Sequence, residues 1–475
     1  MAEEYDLVIL GAGTGGYVAA IKAAQAGLKT AIVEKDKVGG TCLHKGCIPS
    51  KSLLKSAEMF QAIQHSESYG ITADNVTLAF DKVQKRKNDI VDKLHRGVQH
   101  LMQKGKIDVF DGYGRILGPS IFSPSAGTIS VERTDKEENT MLIPKQVIIA
   151  TGSRPAELEG LPTDGNRILH SEHVLELKKL PASIVIIGGG VIGVEWASMF
   201  NDFGTEVTLI EYAERILPGE DGAVSKAMQK ALENKGVKIL TGTKVKAGET
   251  EMLEEQVTIH AVDNSGNDQA FEAEQVLVSI GRKANVEDIG LSNTDIEIKN
   301  GVIEVNGMYQ TKESHIYAIG DVIGGLQLAH VASKEGAIAV DHILGRDPLP
   351  LDNQTVPRCI YSSPEASSIG MSQEEADKKG LRVKTSSFPF QAIGKALVNG
   401  NTEGFVKIII DEDTDDLVGV HMIGSGVTEL ISEAAMAKIL DASHLEIKET
   451  IHPHPSLSES FGEAVLAVDG LAVHS

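Results

Sequence analysis

The chain opens on a short apolar run, Asp6 to Leu10, that passes straight into Gly11-Ala12-Gly13-Thr14-Gly15-Gly16. Tyr17 to Ala26 then spaces its apolar residues as a helix does, and Lys29 to Glu34 is a second apolar run that ends on a carboxylate. Strand, glycine turn, helix, strand is the order that a dinucleotide-binding unit requires. In such a unit Gly11 permits the tight turn, Gly13 lets the backbone approach a pyrophosphate, and Gly16 lets the helix pack close to the strand. The helix N-terminus presents unpaired N–H groups to the phosphates. Glu34 falls where a carboxylate can accept hydrogen bonds from ribose hydroxyls.

The same pattern recurs farther along. Ser183 to Ile187 is an apolar strand, Gly188-Gly189-Gly190-Val191-Ile192-Gly193 the turn, Val194 to Phe203 the helix, and Glu206 to Ile210 the second strand, which leads to Glu211. Gly11 and Glu34 are 23 positions apart, as are Gly188 and Glu211. With 48 glycines in the chain, one such turn would carry little weight; two with the acidic residue at the same spacing imply two dinucleotides bound at once. One of them is then expected to be a tightly held flavin that relays electrons to the other. A duplicated fold with one inactive site is the competing reading. Glu211 would repel the 2'-phosphate of NADP, which favours NAD.

Further apolar strands run into glycines: Gln146 to Ala150 before Thr151-Gly152-Ser153-Arg154-Pro155, Gln275 to Ile280 before Gly281, and His315 to Ile319 before Gly320-Asp321. A strand that ends on glycine suits a cofactor lying across its end. From about Asp347 the pattern changes to the alternating runs Phe405 to Ile410 and Leu417 to Met422, followed by a helical stretch from Val427 to Leu440. The expected fold class is α/β, with two Rossmann-like dinucleotide-binding domains and a C-terminal α+β domain. The expected division is residues 1–150 with 282–346, then 151–281, then 347–475. A length of 475 residues agrees with several domains, because single cores stop growing well below it.

Composition narrows the function. The formal charge of -22 disfavours nucleic acid as a partner and would attract a basic one, although acidity also serves plain solubility. Three cysteines cannot form a secreted disulfide framework, no signal-like or Arg-rich start precedes the first strand, and no long apolar run suggests a membrane span. A cytoplasmic, reducing setting is expected.

Two of those cysteines lie in Gly39-Gly40-Thr41-Cys42-Leu43-His44-Lys45-Gly46-Cys47-Ile48-Pro49-Ser50-Lys51. Five positions apart in a glycine-interrupted turn, they can approach to disulfide distance. Pro49 fits the first turn of a following helix, whose positive end would stabilise a Cys47 thiolate. An inert buried pair and half of a zinc site are the alternatives; zinc would need two more ligands, and only His44 is near. Neither explains why the pair directly follows a dinucleotide unit.

The run from Gly39 to Lys51, taken with Gly11 to Gly16, Gly188 to Gly193, Tyr317 to Asp321 and His452-Pro453-His454-Pro455-Ser456-Leu457-Ser458-Glu459, resembles the dihydrolipoyl dehydrogenases, a branch of the pyridine nucleotide-disulfide oxidoreductases. The resemblance covers essentially the whole chain. Tyr113 to Ser123 and Thr311 to Ala332 look most like the version associated with bacterial branched-chain 2-oxoacid dehydrogenase. It implies FAD and NAD as cofactors, a homodimer formed through the C-terminal domain, and the role of E3 beside a lipoyl domain and E2 core.

Residue by residue, the resemblance makes Cys42 the thiol that exchanges with substrate and Cys47 the thiol that contacts the flavin. Lys51 resembles the lysine beside the flavin, with Glu195 as its carboxylate partner. Gly11, Gly13, Gly16, Glu34, Lys35, Gly40, Thr41, Gly114, Thr151, Gly152, Ser153, Asp321, Ala329 and His330 match FAD contacts. Gly188, Gly190, Gly193, Glu211 and Gly281 match NAD contacts. His454 resembles the catalytic base and Glu459 the carboxylate that orients it, both serving the partner subunit's site. No metal is implied. Pro453 and Ser456 stand where family members often carry alanine and threonine. Glutathione and mercuric reductases share the plan, but Glu211 disfavours the NADP-linked first, and the second usually has an added C-terminal cysteine pair, which is missing after Cys359. Cys359 is expected to be a small core residue.

Overall fold

The computed structural model describes residues 2–119, 127–133 and 138–474. Of the segment Tyr113 to Ser123, residues 120–123 lie outside the described residues. The chain divides into two compact units: Met1–Ser52 with Lys82–Ala156 and Arg282–Leu351, and Leu53–Asp81 with Glu157–Gly281 and Asp352–Ser475.

The first unit is built on a parallel sheet. Strand Ala2–Leu10 lies between Thr30–Glu34 on one side and Thr140–Ile149 on the other; Asp108–Ile116 extends the first edge and Ile316–Ala318 the second. A short antiparallel strand, Ile129–Arg133, pairs with both Asp108–Ile116 and Thr140–Ile149. Both faces of the central strands are covered: Val8 and Leu10 belong to one core, Leu7 and Ile9 to another, and all four are essentially inaccessible. This explains why these strands read as continuous apolar runs rather than alternating ones. Helix Thr14–Gln25 packs on helix Ala329–Ile343 through small residues. A Cβ at Gly15 would come within 3.1 Å of the Ala332 carbonyl, and one at Gly336 within 2.9 Å of the Gly15 carbonyl, so only glycine allows this approach.

The second unit holds two sheets and a small antiparallel meander. The first sheet orders Lys238–Leu240, Glu206–Ile210, Ser183–Ile187, Gln275–Val278 and Ile168–Leu169, with every pairing parallel. The second is antiparallel throughout and includes Glu365–Gly370, Leu417–Gly424, Phe405–Asp411 and Val383–Pro389. Helices Val427–Ile439 and Glu459–Val468 contribute Ile431, Ala434, Phe461 and Val465 to its core. Burying such a side chain is worth about 1.5 to 3 kcal/mol for the larger apolar types, which is why this sheet keeps its helices against it.

Several boundaries differ from the sequence expectation. Both dinucleotide-unit helices begin three residues earlier than their apolar spacing suggested, at Thr14 and Val191, because the helix starts within the glycine turn itself. Cys42 lies in a short helix, Gly40–His44, and not in an open turn. The 25-residue helix Phe80–Lys104 carries only Lys87 and Met102 fully buried, so its polar surface hid it from the apolar pattern.

Candidate active site

Each glycine of the first turn has its own reason. Gly11 adopts φ +99°, and a Cβ there would meet the Ala150 carbonyl oxygen at 2.3 Å. A Cβ at Gly16 would lie 1.9 Å from the Gly11 carbonyl oxygen, so helix and strand could not approach. At Gly13 a Cβ would meet nothing within 4 Å. That open space lies at the N-cap of helix Thr14–Gln25, where unpaired N–H groups and the positive end of the helix dipole suit a pyrophosphate. Glu34 closes the unit: Ala12 N–H donates to its Oε2 at 2.7 Å and Asp36 N–H to its Oε1 at 3.0 Å.

The second turn repeats this. Gly188 has φ +107°, with the Ser279 carbonyl 2.6 Å from a would-be Cβ; a Cβ at Gly193 would lie 1.9 Å from the Gly188 carbonyl; Gly190 faces open space. Glu211 accepts from Gly189 N–H at 2.5 Å and Ala213 N–H at 2.7 Å. Gly281, at φ +125°, also has open space at its Cβ position. The residues present therefore fit two dinucleotides.

The cysteine segment leans on the first turn. A Cβ at Gly40 would lie 2.5 Å from the Gly13 Cα, and Gly39 N–H donates to the Ala12 carbonyl at 2.8 Å. Thr41 and Cys42 follow in the short helix, and Cys47 is the first residue of helix Cys47–Gln64, with Pro49 in its first turn. The two thiols are hydrogen-bonded to each other, and that bond, then burial and the nearby Cys47 charge, push the Cys42 thiol far above its ordinary pKa; Thr14 and Lys51 work the other way. Cys42 therefore holds its proton strongly, and Cys47 stands at the start of a helix, whose positive end favours a thiolate.

A second cluster gathers at Asp321. Ser153 Oγ donates to Asp321 Oδ2, Arg282 Nε donates to Ser153 Oγ at 2.7 Å, and the guanidinium stands 3.7 Å from the Asp321 carboxylate. Thr151 Oγ1 donates to the Asn285 carbonyl at 2.8 Å, Asn285 N–H donates to the Gly152 carbonyl at 2.9 Å, and Gly152 holds φ +69°. Ala329 and His330 open helix Ala329–Ile343. Gly114 lies in strand Asp108–Ile116, where a Cβ would come 2.6 Å from the Leu10 Cδ2 methyl, so any larger residue would require the Leu10 side chain to shift. Lys35 Nζ lies 5.0 Å from the Tyr113 ring centroid.

In the second unit His454 Nδ1 meets Glu459 Oε1 at 2.7 Å, and Ser456 N–H donates to Glu459 Oε2 at 2.8 Å. Glu459 begins helix Glu459–Val468, while the His454 side chain is 79% exposed, so one ring nitrogen is held and the other points outward. Against the upward pull of burial, the Ser456 N–H and His454 hold the Glu459 carboxyl below its ordinary pKa. Glu195 is buried in helix Val191–Asp202 and accepts from Tyr361 N–H at 3.0 Å. Lys51 lies in helix Cys47–Gln64, in the first unit.

Sequence reasoning passed over several of these groups. Arg282, Thr14 and Glu335 carried no local signal. Glu335 is buried on helix Ala329–Ile343, accepts from Gly320 N–H at 2.6 Å beside Asp321, and is pushed up in pKa by burial. Cys359, half-buried against the core of the second antiparallel sheet, is raised to about 11 by burial.

Residues 5–336 match the family profile described as pyridine nucleotide-disulphide oxidoreductase, and residues 356–465 match the dimerisation domain of the same family. The chain belongs to that family. It is 62% identical to a dihydrolipoyl dehydrogenase of Bacillus subtilis (strain 168) over 474 residues, covering 100% of both chains. Another, from Zymomonas mobilis, is 42% identical, again over 100% of both. Among solved structures, LpdA from Mycobacterium tuberculosis is similar with a TM-score of 0.89 at 25% identity, over 98% of this chain and 99% of that one. The HOCl-induced flavoprotein disulfide reductase RclA from Escherichia coli aligns with a TM-score of 0.84 at 28% identity, over 97% of this chain and 99% of that one. Within the family the chain falls among the dihydrolipoyl dehydrogenases, oxidoreductases that use FAD and NAD. Its C-terminal part is a dimerisation domain, and among the described residues no helix is long and apolar enough to cross a membrane.

Proposed function

We propose that Cys42 and Cys47 form the redox pair through which this enzyme oxidises dihydrolipoamide to lipoamide and reduces NAD+ to NADH, as E3 of a 2-oxoacid dehydrogenase complex. The observation that carries this reading is the hydrogen-bonded thiol pair, with Cys47 at the N-terminus of its helix and Gly40 packed on the first glycine turn.

In the oxidised enzyme the pair is a disulfide. His454 of the partner subunit takes a proton from one substrate thiol, and the thiolate attacks Cys42 Sγ; the Cys42–Cys47 bond breaks and Cys47 leaves as a thiolate. The second substrate thiol then attacks its own partner sulfur and passes its proton to the departing Cys42 sulfur, which closes lipoamide while the first proton stays on His454. Two electrons have moved from substrate to the pair. The high pKa of the Cys42 thiol keeps the proton on Cys42 and leaves the charge on Cys47. FAD, when bound, supplies the two-electron link between this dithiol and NAD. Histidine suits the base because its ordinary pKa of about 6.5 lets it take and return a proton near neutrality.

Gly11, Gly13, Gly16, Glu34, Lys35, Gly40, Thr41, Gly114, Thr151, Gly152, Ser153, Asp321, Ala329 and His330 would hold FAD. Lys51 would stand beside the flavin with Glu195 as its carboxylate partner. Gly188, Gly190, Gly193, Glu211 and Gly281 would hold NAD. We assign residues 1–150 with 282–346 to the FAD and central part, 151–281 to the NAD part, and 347–475 to dimerisation. The partners are a second copy, a lipoyl domain and a basic segment of the E2 core, in the cytoplasm. The match of Tyr113 to Ser123 and Thr311 to Ala332 favours the branched-chain complex.

Cys42→Ser is the direct test. It should keep its flavin absorbance and its NADH-driven reduction of ferricyanide while losing dihydrolipoamide turnover by at least about a thousandfold. Substantial dihydrolipoamide turnover in that variant would sink the scheme.

A further inference from the structure

His452 lies two residues before His454 and takes no part in the chemistry derived above. Its side chain is only 10% exposed, and its Nε2 meets Glu433 Oε1, on helix Val427–Ile439, at 2.6 Å. The ring stands edge-on to Phe461 at 6.5 Å. It rests where Gly462 has no side chain: a Cβ there would lie 2.8 Å from His452 Nδ1. Phe461 and Gly462 are in the first turn of the helix that begins with Glu459, the partner of His454. The ring is therefore fastened to one helix by an ion pair and seated in a gap on the other, beside the residue that holds His454.

We propose that His452 is a positioning residue for the base: pinned by Glu433 and seated against Gly462, it fixes the turn that carries His454 onto the start of the Glu459 helix and places a positive charge beside Glu459. This deepens the reading above and rests on His454 being the base. The hydrogen bond that His452 gives to Glu433 raises the pKa of the ring against the opposing effect of burial, and the Glu433 and Glu459 charges add to the rise. The charged groups around it are Glu433 on one helix, Glu459 on the other and His454 on its own turn, with His474 acting on Glu459 from the C-terminal segment.

The sign follows. Removing the His452 charge takes a positive charge from beside the His454–Glu459 pair, so a base held by that pair accepts its proton more readily and the acid limb of kcat/KM moves to higher pH. The full chain with FAD bound would be compared as wild type, His452→Gln, Gly462→Ala and His454→Gln, with dihydrolipoamide oxidation measured across pH and ferricyanide reduction by NADH reporting flavin loading. We expect His452→Gln to lower kcat about tenfold or more and to move the acid limb up by roughly half a unit. Gly462→Ala keeps every charge and suits a helix better than glycine, yet it displaces the ring, and we expect it to lower kcat about threefold or more without lowering thermal stability. A His452→Gln enzyme within twofold of wild type overturns the inference, as does a loss of rate with an unmoved acid limb and a normal Gly462→Ala. His454→Gln with full turnover would instead remove the base assignment itself; an inactive His454→Gln beside an unaffected His452→Gln overturns the inference alone.

Discussion

The two glycine turns share a frame and differ in what is attached to it. In both, the residue after the first glycine gives its N–H to the carboxylate that ends the second strand, and the second residue after that carboxylate gives its N–H to the other oxygen. In both, the chain then returns to the turn and closes it with one more backbone bond: Gly39 N–H to the Ala12 carbonyl in the first, Leu217 N–H to the Gly189 carbonyl in the second, each at 2.8 Å. At the return they part. The first unit brings in Gly40 and the cysteine helices; the second brings in Ile216 and Leu217, both fully buried. The shared frame is thus built without the thiols, which enter at one return of one copy.

The sharpest way to break this comparison is to alter matching glycines. Gly16→Ala and Gly193→Ala create the same 1.9 Å clash with a carbonyl oxygen, in different units. Gly16→Ala should be purified without flavin and lose essentially all turnover. Gly193→Ala should keep its flavin spectrum while kcat/KM for NAD falls by roughly a hundredfold or more. Identical losses in the two would mean that the units are not separate binding frames.

A smaller effect tests the carboxylates. Glu211→Arg should lower kcat/KM for NAD about tenfold and raise the rate with NADP, measured with both nucleotides at fixed substrate. An unchanged preference would show that Glu211 serves only the loop N–H groups of Gly189 and Ala213. The smallest effect sharpens the cysteine contrast. Burial pushes the Cys359 thiol in the second unit up to about 11, so mass mapping of iodoacetamide labelling on reduced enzyme should find it largely unmodified at pH 8. Raising the pH toward 11 should speed that labelling progressively.

Much of this was legible in the chain because it is written locally. The strands Ser183–Ile187 and Glu206–Ile210 have the limits their apolar runs suggested, since each is buried and bounded by polar or glycine residues. The packing roles of Gly11, Gly16, Gly188 and Gly193 were readable from spacing alone. Other features depend on partners distant in sequence. Arg282 reaches Ser153 across 129 positions, and Gly320 N–H finds Glu335 only once the helix Ala329–Ile343 is in place. Nothing near either residue announces such a pairing. Gly114 teaches the opposite lesson: the family match reads it as a cofactor contact, while the Leu10 side chain gives a packing reason for the same glycine.

The parallel sheet of the first unit is assembled from distant parts of the chain, with a consequence for folding on the ribosome. Its edge strand Ile316–Ala318 pairs with Thr140–Ile149, and the helix Ala329–Ile343 packs on Thr14–Gln25, so its first and last pieces are separated by most of the translated sequence. The parallel sheet of the second unit is contained between Ile168 and Val278. During synthesis most of the first unit's sheet can pair once Ile149 has been made, and the second unit's parallel sheet is complete at Val278, while the first still lacks its last strand and the helix Ala329–Ile343. Until Ile316–Ala318 is made, Thr140–Ile149 holds an unfinished edge that is open to premature pairing.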